Sequence, residues 1–359
     1  MDYISAHDAA KKWNISQRRV SVLCIANRIP DAKRVGNMWI IPSDAKKPSD
    51  ARKGKKKEKT ALGSARPFLK WAGGKGQLLE IISNSYPPAL GQQITKYAEP
   101  FVGGGAILFD VLSKFKLESA YISDTNQELI NTYIIVRDHV EELISILKTL
   151  QSEFLPLNDE SRKEYYYNKR DEFNSLIVGA LNDNNLMKAA LLIFLNRTCF
   201  NGLYRVNRRN EFNVPMGSYK NPKICDPENL RAVSAMLKSV IIVCGDYTLS
   251  ESFIGNNTFV YIDPPYRPLT KTASFTAYTE NDFDDKAQIA LAHYIDRLTE
   301  EKQAFILVSN SDPKNSKPQD DFFDELYEKH NIRRVNAIRL INRNADSRGE
   351  ISELLISNY

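Results

Sequence analysis

A chain of 359 residues, 42% hydrophobic and 26% charged, is long enough for two units and apolar enough to bury a large core, which excludes disorder over its whole length. Its net charge of +5 is unevenly spread: residues 1–59 hold fifteen Lys/Arg against six Asp/Glu, so residues 60–359 carry a net −4. Only the N-terminal piece asks for a polyanionic partner. Cys24, Cys199, Cys225 and Cys244 form no C-x-x-C pair, and His7, His139, His293 and His330 are equally scattered. A zinc ribbon and a disulfide framework are excluded, no metal is expected, and the thiols should be reduced. No apolar run is long enough to span a bilayer and no signal-peptide core stands at the start, so a cytoplasmic protein without a membrane partner is expected.

In chain order, Ser5-Ala-His-Asp8 opens a first helix whose apolar face is Ala9, Ala10 and Trp13. A turn at Asn14 to Ser16 leads into a second helix carrying Val20, Leu23, Cys24 and Ile29. Lys33 to Val35, a Gly36-Asn37 turn and Met38 to Ile41 then read as two strands closed by Pro42. Residues 1–45 resemble the small winged helix-turn-helix domains of excisionase and MerR type. That resemblance implies that the second helix, about Gln17 to Asn27 with Gln17, Arg18, Arg19 and Ser21 at its start, enters a DNA major groove. A helical hairpin for protein contacts is the other reading. Residues 46–66 follow as a linker. Between 46 and 59 they hold eight basic residues against two acidic ones and no aliphatic residue larger than alanine, so they cannot pack. The segment is either a DNA-tracking tether or a merely solvated one.

From Pro67 onward strand-like and helix-like segments alternate. Tyr97-Ala98, Ala120 to Ile122, Val240 to Val243, Phe259 to Ile262, Ala304 to Val308 and Ile351 to Ile356 read as buried strands. Asn126 to Leu147 and Asp285 to Leu298 read as amphipathic helices. Alternation of this kind predicts an α/β fold with a mostly parallel sheet covered on both faces. Residues from about 150 to 235 break the rhythm, being helical and rich in Tyr and Asn, then irregular and basic from Asn196 to Lys223. They are expected to form an inserted subdomain.

Ligands of such a sheet bind beyond the carboxyl ends of its strands. After the first strand stands Glu99-Pro-Phe-Val-Gly-Gly-Gly105, a glycine loop that lets backbone pass close to a ligand. It lacks the G-x-x-x-x-G-K-[ST] spacing of a triphosphate site. The second strand ends at Asp124, suited to a ribose hydroxyl or to capping the next helix. After Phe259 to Ile262 comes Asp263-Pro-Pro-Tyr266. Its prolines stiffen a turn in which the Asp263 carboxylate and the Pro264 carbonyl converge, beside the flat face of Tyr266. Two acceptors and a ring suit an exocyclic amino group on a heterocycle.

Phe68-Leu-Lys-Trp-Ala-Gly-Gly-Lys75, Glu99 to Gly105, Asp124-Thr-Asn126, Phe200-Asn-Gly-Leu-Tyr-Arg-Val-Asn207, Glu211-Phe-Asn-Val-Pro215, Gly245-Asp-Tyr247 and Asp263 to Tyr266 together resemble the ordered motifs of the Dam group of DNA adenine-N6 methyltransferases. The resemblance runs from about Pro67 to the C-terminus in the alpha-type order of cofactor half, target-recognition insert and catalytic half. The minimal members lack the N-terminal domain and linker. It implies a Rossmann-like doubly wound methyltransferase core over 67–150 and 236–359. It also implies a mainly helical target-recognition subdomain over 151–235 that carries a β-hairpin.

By the same resemblance Trp71, Lys75, Glu99, Phe101, Gly103, Gly105, Asp124, Asp246 and Asp263 surround S-adenosyl-L-methionine. Asp263, Pro264, Pro265 and Tyr266 hold a flipped-out adenine in position for direct methyl transfer without a metal. Lys70, Phe200, Asn201, Leu203, Arg205, Asn207 and Pro215 contact double-stranded DNA: Lys70 an outer guanine, Phe200 as a wedge beside the displaced base, Arg205 base edges, Leu203 and Pro215 a thymine methyl. The implied site is GATC, with a cognate restriction endonuclease as a genetic partner or an orphan role as the alternative. On the residues alone, a surface hairpin whose Arg197, Arg205, Arg208 and Arg209 are solvated is the other reading of that stretch. Two rivals to DNA methylation are transfer to an RNA base or a protein glutamine, and a regulator that has lost activity. Asp263, the arginine-bearing stretch and the intact glycine loop weigh against both.

Overall fold

The computed structural model describes residues 2–25, 28–36, 38–48, 65–71, 73–178, 183–267, 283–338 and 350–359. Asn27 of the expected second helix, Asn37 of the expected turn, Ala72 of the first motif and most of the expected linker lie outside them. The chain divides into two compact units, Met1–Ala61 and Leu62–Tyr359.

In the first unit β1 (Tyr3–Ser5) leads directly into α1 (Ala6–Trp13), where Ser5 caps the helix by accepting from the Asp8 N–H at 3.2 Å. Asn14 ends that helix in the left-handed region at φ 51°, which a short polar side chain tolerates. Ser16 then accepts from the Arg19 N–H at 3.2 Å to open α2 (Gln17–Ile25). β2 (Lys33–Val35) and β3 (Met38–Pro42) pair antiparallel, and β1 adds to the other side of β3, a strand the sequence pattern did not predict. Ala9, Ala10, Trp13, Val20, Leu23, Cys24, Ile29 and Ile41 make a core of their own.

The second unit is built on a seven-stranded sheet. β4 (Lys96–Glu99), β5 (Ser119–Asp124), β6 (Val240–Cys244), β7 (Thr258–Ile262) and β8 (Phe305–Ser311) are mutually parallel, and β9 (Asn331–Ile338) and β10 (Glu350–Ser357) complete the order β6-β5-β4-β7-β8-β10-β9. β10 runs antiparallel to both its neighbours, so the sheet is mixed. Successive strand residues point to opposite faces, and that alternation divides the core in two. Tyr97, Ala120, Ile122, Phe259, Tyr261, Leu307 and Leu355 face one cluster. Ala98, Tyr121, Val260, Ile262, Ile306, Val308, Leu354 and Ile356 face the other.

The second cluster is covered by α10 (Asp285–Lys302) and the short α11 (Phe322–Leu326), numbered in chain order with the helices that follow. The first cluster is covered by α3 (Leu79–Ser83), α4 (Ala106–Lys114), α5 (Gln127–Asp138), α6 (Val140–Phe154), α7 (Asp159–Ser175), α8 (Asp183–Thr198) and α9 (Pro227–Leu237). The single helix expected from Asn126 to Leu147 is two, because His139 leaves helical geometry at φ −128° and ψ 39°, and Glu141 and Glu142 supply a fresh acidic first turn. α8 is buried from Ala189 to Leu195, as a helix apolar on every side must be. It packs among α5, α6 and α7, so residues 151–235 share one hydrophobic core with the sheet. Among the described residues no helix is long and apolar enough to cross a membrane.

Candidate active site

The carboxyl ends of β4, β5 and β7 gather the motif residues. After β4 the backbone turns through Gly103 (φ 45°) and Gly105 (φ 69°), values that strain any other residue. A Cβ on Gly105 would stand 2.5 Å from the Tyr133 hydroxyl, and one on Gly103 would stand 2.9 Å from Trp71 Cδ1. Bare backbone is therefore what lets Trp71 and Tyr133 close on the loop. Tyr133 donates to the Gly103 carbonyl at 3.0 Å, and Asp124 at the end of β5 accepts from the Gly103 N–H at 3.1 Å and from the Asn126 N–H at 2.9 Å. Gly105 caps α4 without a side-chain partner, and in the first turn of that helix the Leu108 N–H bonds the buried Glu99. Phe101 stacks on Tyr247 with ring centroids 5.5 Å apart and meets Phe283 edge-on at 6.0 Å.

Below the loop, Glu99 is 2% exposed and accepts from the Tyr97 hydroxyl at 2.8 Å. Burial pushes its carboxyl up to about 8; the Tyr97 bond opposes this and the nearby Asp263 charge adds to it. Burial also raises Asp124, against the pull of its backbone N–H donors.

Asp263 follows β7 directly. The Lys75 ammonium lies 2.7 Å from Asp263 Oδ1, donates to the Tyr266 hydroxyl at 2.7 Å and to the Gly73 carbonyl at 3.1 Å. An ammonium has three donors, so those of Lys75 are fully used. Ser309 Oγ donates to the same Asp263 Oδ1 at 3.1 Å and is itself 2.8 Å from the Tyr261 hydroxyl. Among the described residues both partners of Asp263 thus bond Oδ1, and Oδ2 keeps its lone pairs. Burial lifts the Asp263 carboxyl above the usual carboxylate range, with Lys75 pulling it back. The Pro265 carbonyl accepts from Gln288 at 3.1 Å, and Gln288 accepts from Asn310 at 3.2 Å, which fixes the proline turn to α10 and β8. The Tyr266 hydroxyl donates to Glu353 on β10 at 3.1 Å.

The segment before Lys75 ties this centre to the irregular stretch. Asn196 accepts from the Lys70 N–H at 2.8 Å and donates to the carbonyls of Lys70, at 2.8 Å, and Gly202, at 3.0 Å. Trp71 stacks on Tyr204 at 5.2 Å. Lys70 itself reaches Tyr219, with Nζ 3.2 Å from the hydroxyl. The expected hairpin is an arm closed by two isolated antiparallel bridges, Cys199 with Met216 and Val206 with Phe212. Backbone bonds cross the arm from the Asn207 N–H to the Glu211 carbonyl at 2.9 Å and from the Asn213 N–H to the Arg205 carbonyl at 3.1 Å, and its outward groups go to α7: Asn174 bonds both the N–H and the carbonyl of Phe212, and Tyr166 donates to the Val214 carbonyl at 2.8 Å. Phe200, 52% exposed, stands out from the arm with Asn201, Arg205 and Pro215, while Leu203 is half-buried.

Two side chains named for DNA are engaged within the arm. Arg205 bonds Asn213 at 2.7 Å, and Asn207 closes the turn by accepting from the N–H groups of Arg209 and Glu211. Arg197 is not solvated; it donates to the Phe68 carbonyl at 2.7 Å. Asp246 is exposed and caps its own turn through Thr248. Gln288, Asn196, Tyr204, Tyr133 and Glu353 were not singled out from sequence, and Ser309 was legible only as the start of Ser309-Asn-Ser-Asp312, a stretch that resembles the family without an assigned role. Of the first five, only Asn196 and Tyr204 lie in or beside a motif that could have flagged them.

A glycine loop, an acid at the next strand end and an amino-group site after β7, all on one edge of a mostly parallel sheet, define a methyltransferase fold. The chain belongs to the D12 class of N6 adenine-specific DNA methyltransferases, whose family model matches residues 71–341. It is 49% identical over 297 residues to the type II methyltransferase M.MjaIII of Methanocaldococcus jannaschii, covering 82% of this chain and 99% of that protein. It is 38% identical over 296 residues to the type II methyltransferase M1.LlaDCHI of Lactococcus lactis subsp. cremoris (82% and 95%), and 34% identical over 291 residues to the DNA adenine methylase of Escherichia coli (strain K12) (81% and 94%). The chain is an adenine-specific DNA methyltransferase, and the family's cofactor is S-adenosyl-L-methionine. The loop fits that group: its bare glycines admit close approach, Asp124 suits ribose hydroxyls, and the ring of Phe101 suits a purine.

Proposed function

We propose that this enzyme methylates N6 of adenine in double-stranded DNA within GATC, on a base flipped into the Asp263 to Tyr266 site. The observation that carries the reading is the one-sided bonding of Asp263, whose Oδ1 is held by Lys75 and Ser309 while Oδ2 is left to accept. An exocyclic amino group then donates one hydrogen to Asp263 Oδ2 and the other to the Pro264 carbonyl, with the ring on Tyr266. Those bonds localise a lone pair that is otherwise delocalised into the purine, and they aim it along the transfer line. Lys75, at 4% exposure, sets its Nζ 2.7 Å from Asp263 and excludes water from that side. The burial that raises Asp263 makes its Oδ2 the acceptor for the amino proton. When bound, the cofactor supplies an electrophilic methyl group on sulfur. Trp71, Glu99, Phe101, Gly103, Gly105, Asp124 and Asp246 would hold it.

DNA would be read by Lys70 and the arm, with exposed Phe200 filling the space left by the flipped base. Residues 151–235 serve as the target-recognition subdomain. The first unit serves as a winged helix-turn-helix that adds DNA affinity, and residues 46–66 as its basic tether. The relatives named as type II methyltransferases support a restriction–modification setting. Plasmid incubated with the enzyme and labelled S-adenosylmethionine should become resistant to a GATC nuclease blocked by adenine methylation, and Asp263→Asn should abolish both label and resistance. Label in adenine with GATC sites still cut would overturn the proposed sequence. Full activity in Asp263→Asn would overturn the proposed site.

A further inference from the structure

We infer that Glu353, on the one strand that runs against the others, is a positioning residue that sets the ring of Tyr266 for the target base. The inference rests on the reading of Tyr266 as the face on which adenine lies. Strand direction explains how a residue so late in the chain arrives there. β10 is antiparallel to β8, with Glu353 opposite Ser311, so the beginning of β10 lies where β7 and β8 end. Glu353 is half-buried at that edge and accepts from the Tyr266 hydroxyl at 3.1 Å.

Hydrogen-bond chemistry makes this contact directional. Lys75 has only donors, so the Tyr266 oxygen, 2.7 Å from its Nζ, must accept from it. The single phenol proton then has to go elsewhere, and Glu353 takes it. The hydroxyl is held from two sides, by a cation that donates and a carboxylate that accepts. At its other end the ring is rooted in a turn whose Pro265 carbonyl is fixed by Gln288 at 3.1 Å. A ring pinned at root and tip has neither of its side-chain torsions free. Without Glu353 the tip loses the acceptor of its proton, while its donor Lys75 is shared with Asp263 at 2.7 Å, so a turned ring would draw Lys75 off that carboxylate.

The test uses the full-length enzyme in steady-state assays and a duplex with 2-aminopurine at the target adenine, whose fluorescence rises when the base leaves the stack. Glu353→Ala and Tyr266→Phe should each lower kcat about tenfold, the scale of one lost hydrogen bond, with KM for the cofactor unchanged. Because both remove the same contact, the double variant should be no slower than the slower single one. Glu353→Gln keeps an acceptor and should retain most of kcat. The fluorescence rise should be smaller in Glu353→Ala and preserved in Glu353→Gln. Tyr266→Ala separates the two levels of argument: if it leaves kcat intact, the adenine-pocket reading itself fails. If it abolishes transfer while Glu353→Ala transfers at the wild-type rate, or while the losses of Glu353→Ala and Tyr266→Phe multiply, the role of Glu353 alone is overturned. Should Glu353→Ala not fold, Tyr266→Phe still decides, since wild-type kcat without the hydroxyl would refute the inference.

Discussion

Glu99 shows what burial does to a single carboxyl at this site. Its pKa of about 8 lies far above the ordinary glutamate value of about 4.3, because burial strips its solvation and the Tyr97 hydroxyl and Leu108 N–H restore only part of it. Between those two values the folded chain holds a proton that the unfolded chain has released. Raising the pH therefore draws stability out of the fold, by up to about 1.4 kcal/mol per pH unit from this one group; below pH ~4 both states are protonated and nothing is lost. Glu99→Gln keeps an acceptor for Tyr97 and never ionises. Denaturant unfolding at pH 4, 5, 6, 7 and 8 should show the variant and the wild type closest at pH 4 and the variant increasingly more stable toward pH 8. Parallel curves would show that Glu99 is ionised in the fold. Residues of this kind were legible in the sequence where they stand in a motif, as Glu99, Asp124 and Asp263 do. Glu353 was not, and Ser309 was visible without a role, because a serine at the end of one strand and a glutamate in another acquire their roles only from the direction in which β8 and β10 run.

Among elements, the loop from β4 to α4 is the one whose shape the sequence dictates most firmly. Three successive glycines have no other use than positive φ and close approach, and Gly105 needs both. Gly105→Ala would force a methyl to within 2.5 Å of the Tyr133 hydroxyl at φ 69°, and relief by moving Tyr133 would break its bond to Gly103. A loss of about 1–3 kcal/mol is expected, with cofactor binding weakened further if the displaced loop is the proposed binding surface. Thermal unfolding with and without S-adenosylmethionine measures both parts, and a Tm and ligand shift equal to wild type would show that the loop relaxes freely. Other elements were less legible for physical reasons. β9 was not predicted, since Asn331, Arg333, Arg334 and Asn336 interrupt its apolar residues, as suits an edge strand with one neighbour. The helix break at His139 carries no glycine or proline to announce it. The arm reads as a hairpin in sequence, and its backbone does pair across itself near the tip, but its outward groups at Phe212 and Val214 go to Asn174 and Tyr166 of α7, residues that nothing in the local pattern links to it.

At the scale of the molecule, charge separates what the two units contribute. The family match lies wholly within the second unit, and that unit holds every motif residue of the site. Residues 60–359 nevertheless carry a net −4, so their attraction to DNA has to come from local features such as Arg205, Arg208 and Arg209 on the exposed arm. Residues 1–59 carry the surplus of nine positive charges. If that surplus meets phosphates, each contact releases condensed counterions and steepens the fall of log affinity with log salt by about 0.9. Removing residues 1–59 should therefore weaken binding most at low salt and flatten the salt dependence by several such steps. kcat on saturating DNA should stay at the wild-type value, because the Asp263 to Tyr266 site and the glycine loop keep all their described partners. Binding isotherms from 50 to 300 mM salt on specific and unrelated duplexes read this directly. A lower affinity with an unchanged slope would mean that the unit contacts bases without phosphates. Unchanged affinity at every salt concentration would assign the N-terminal unit to protein partners, with its positive charge serving the tether alone.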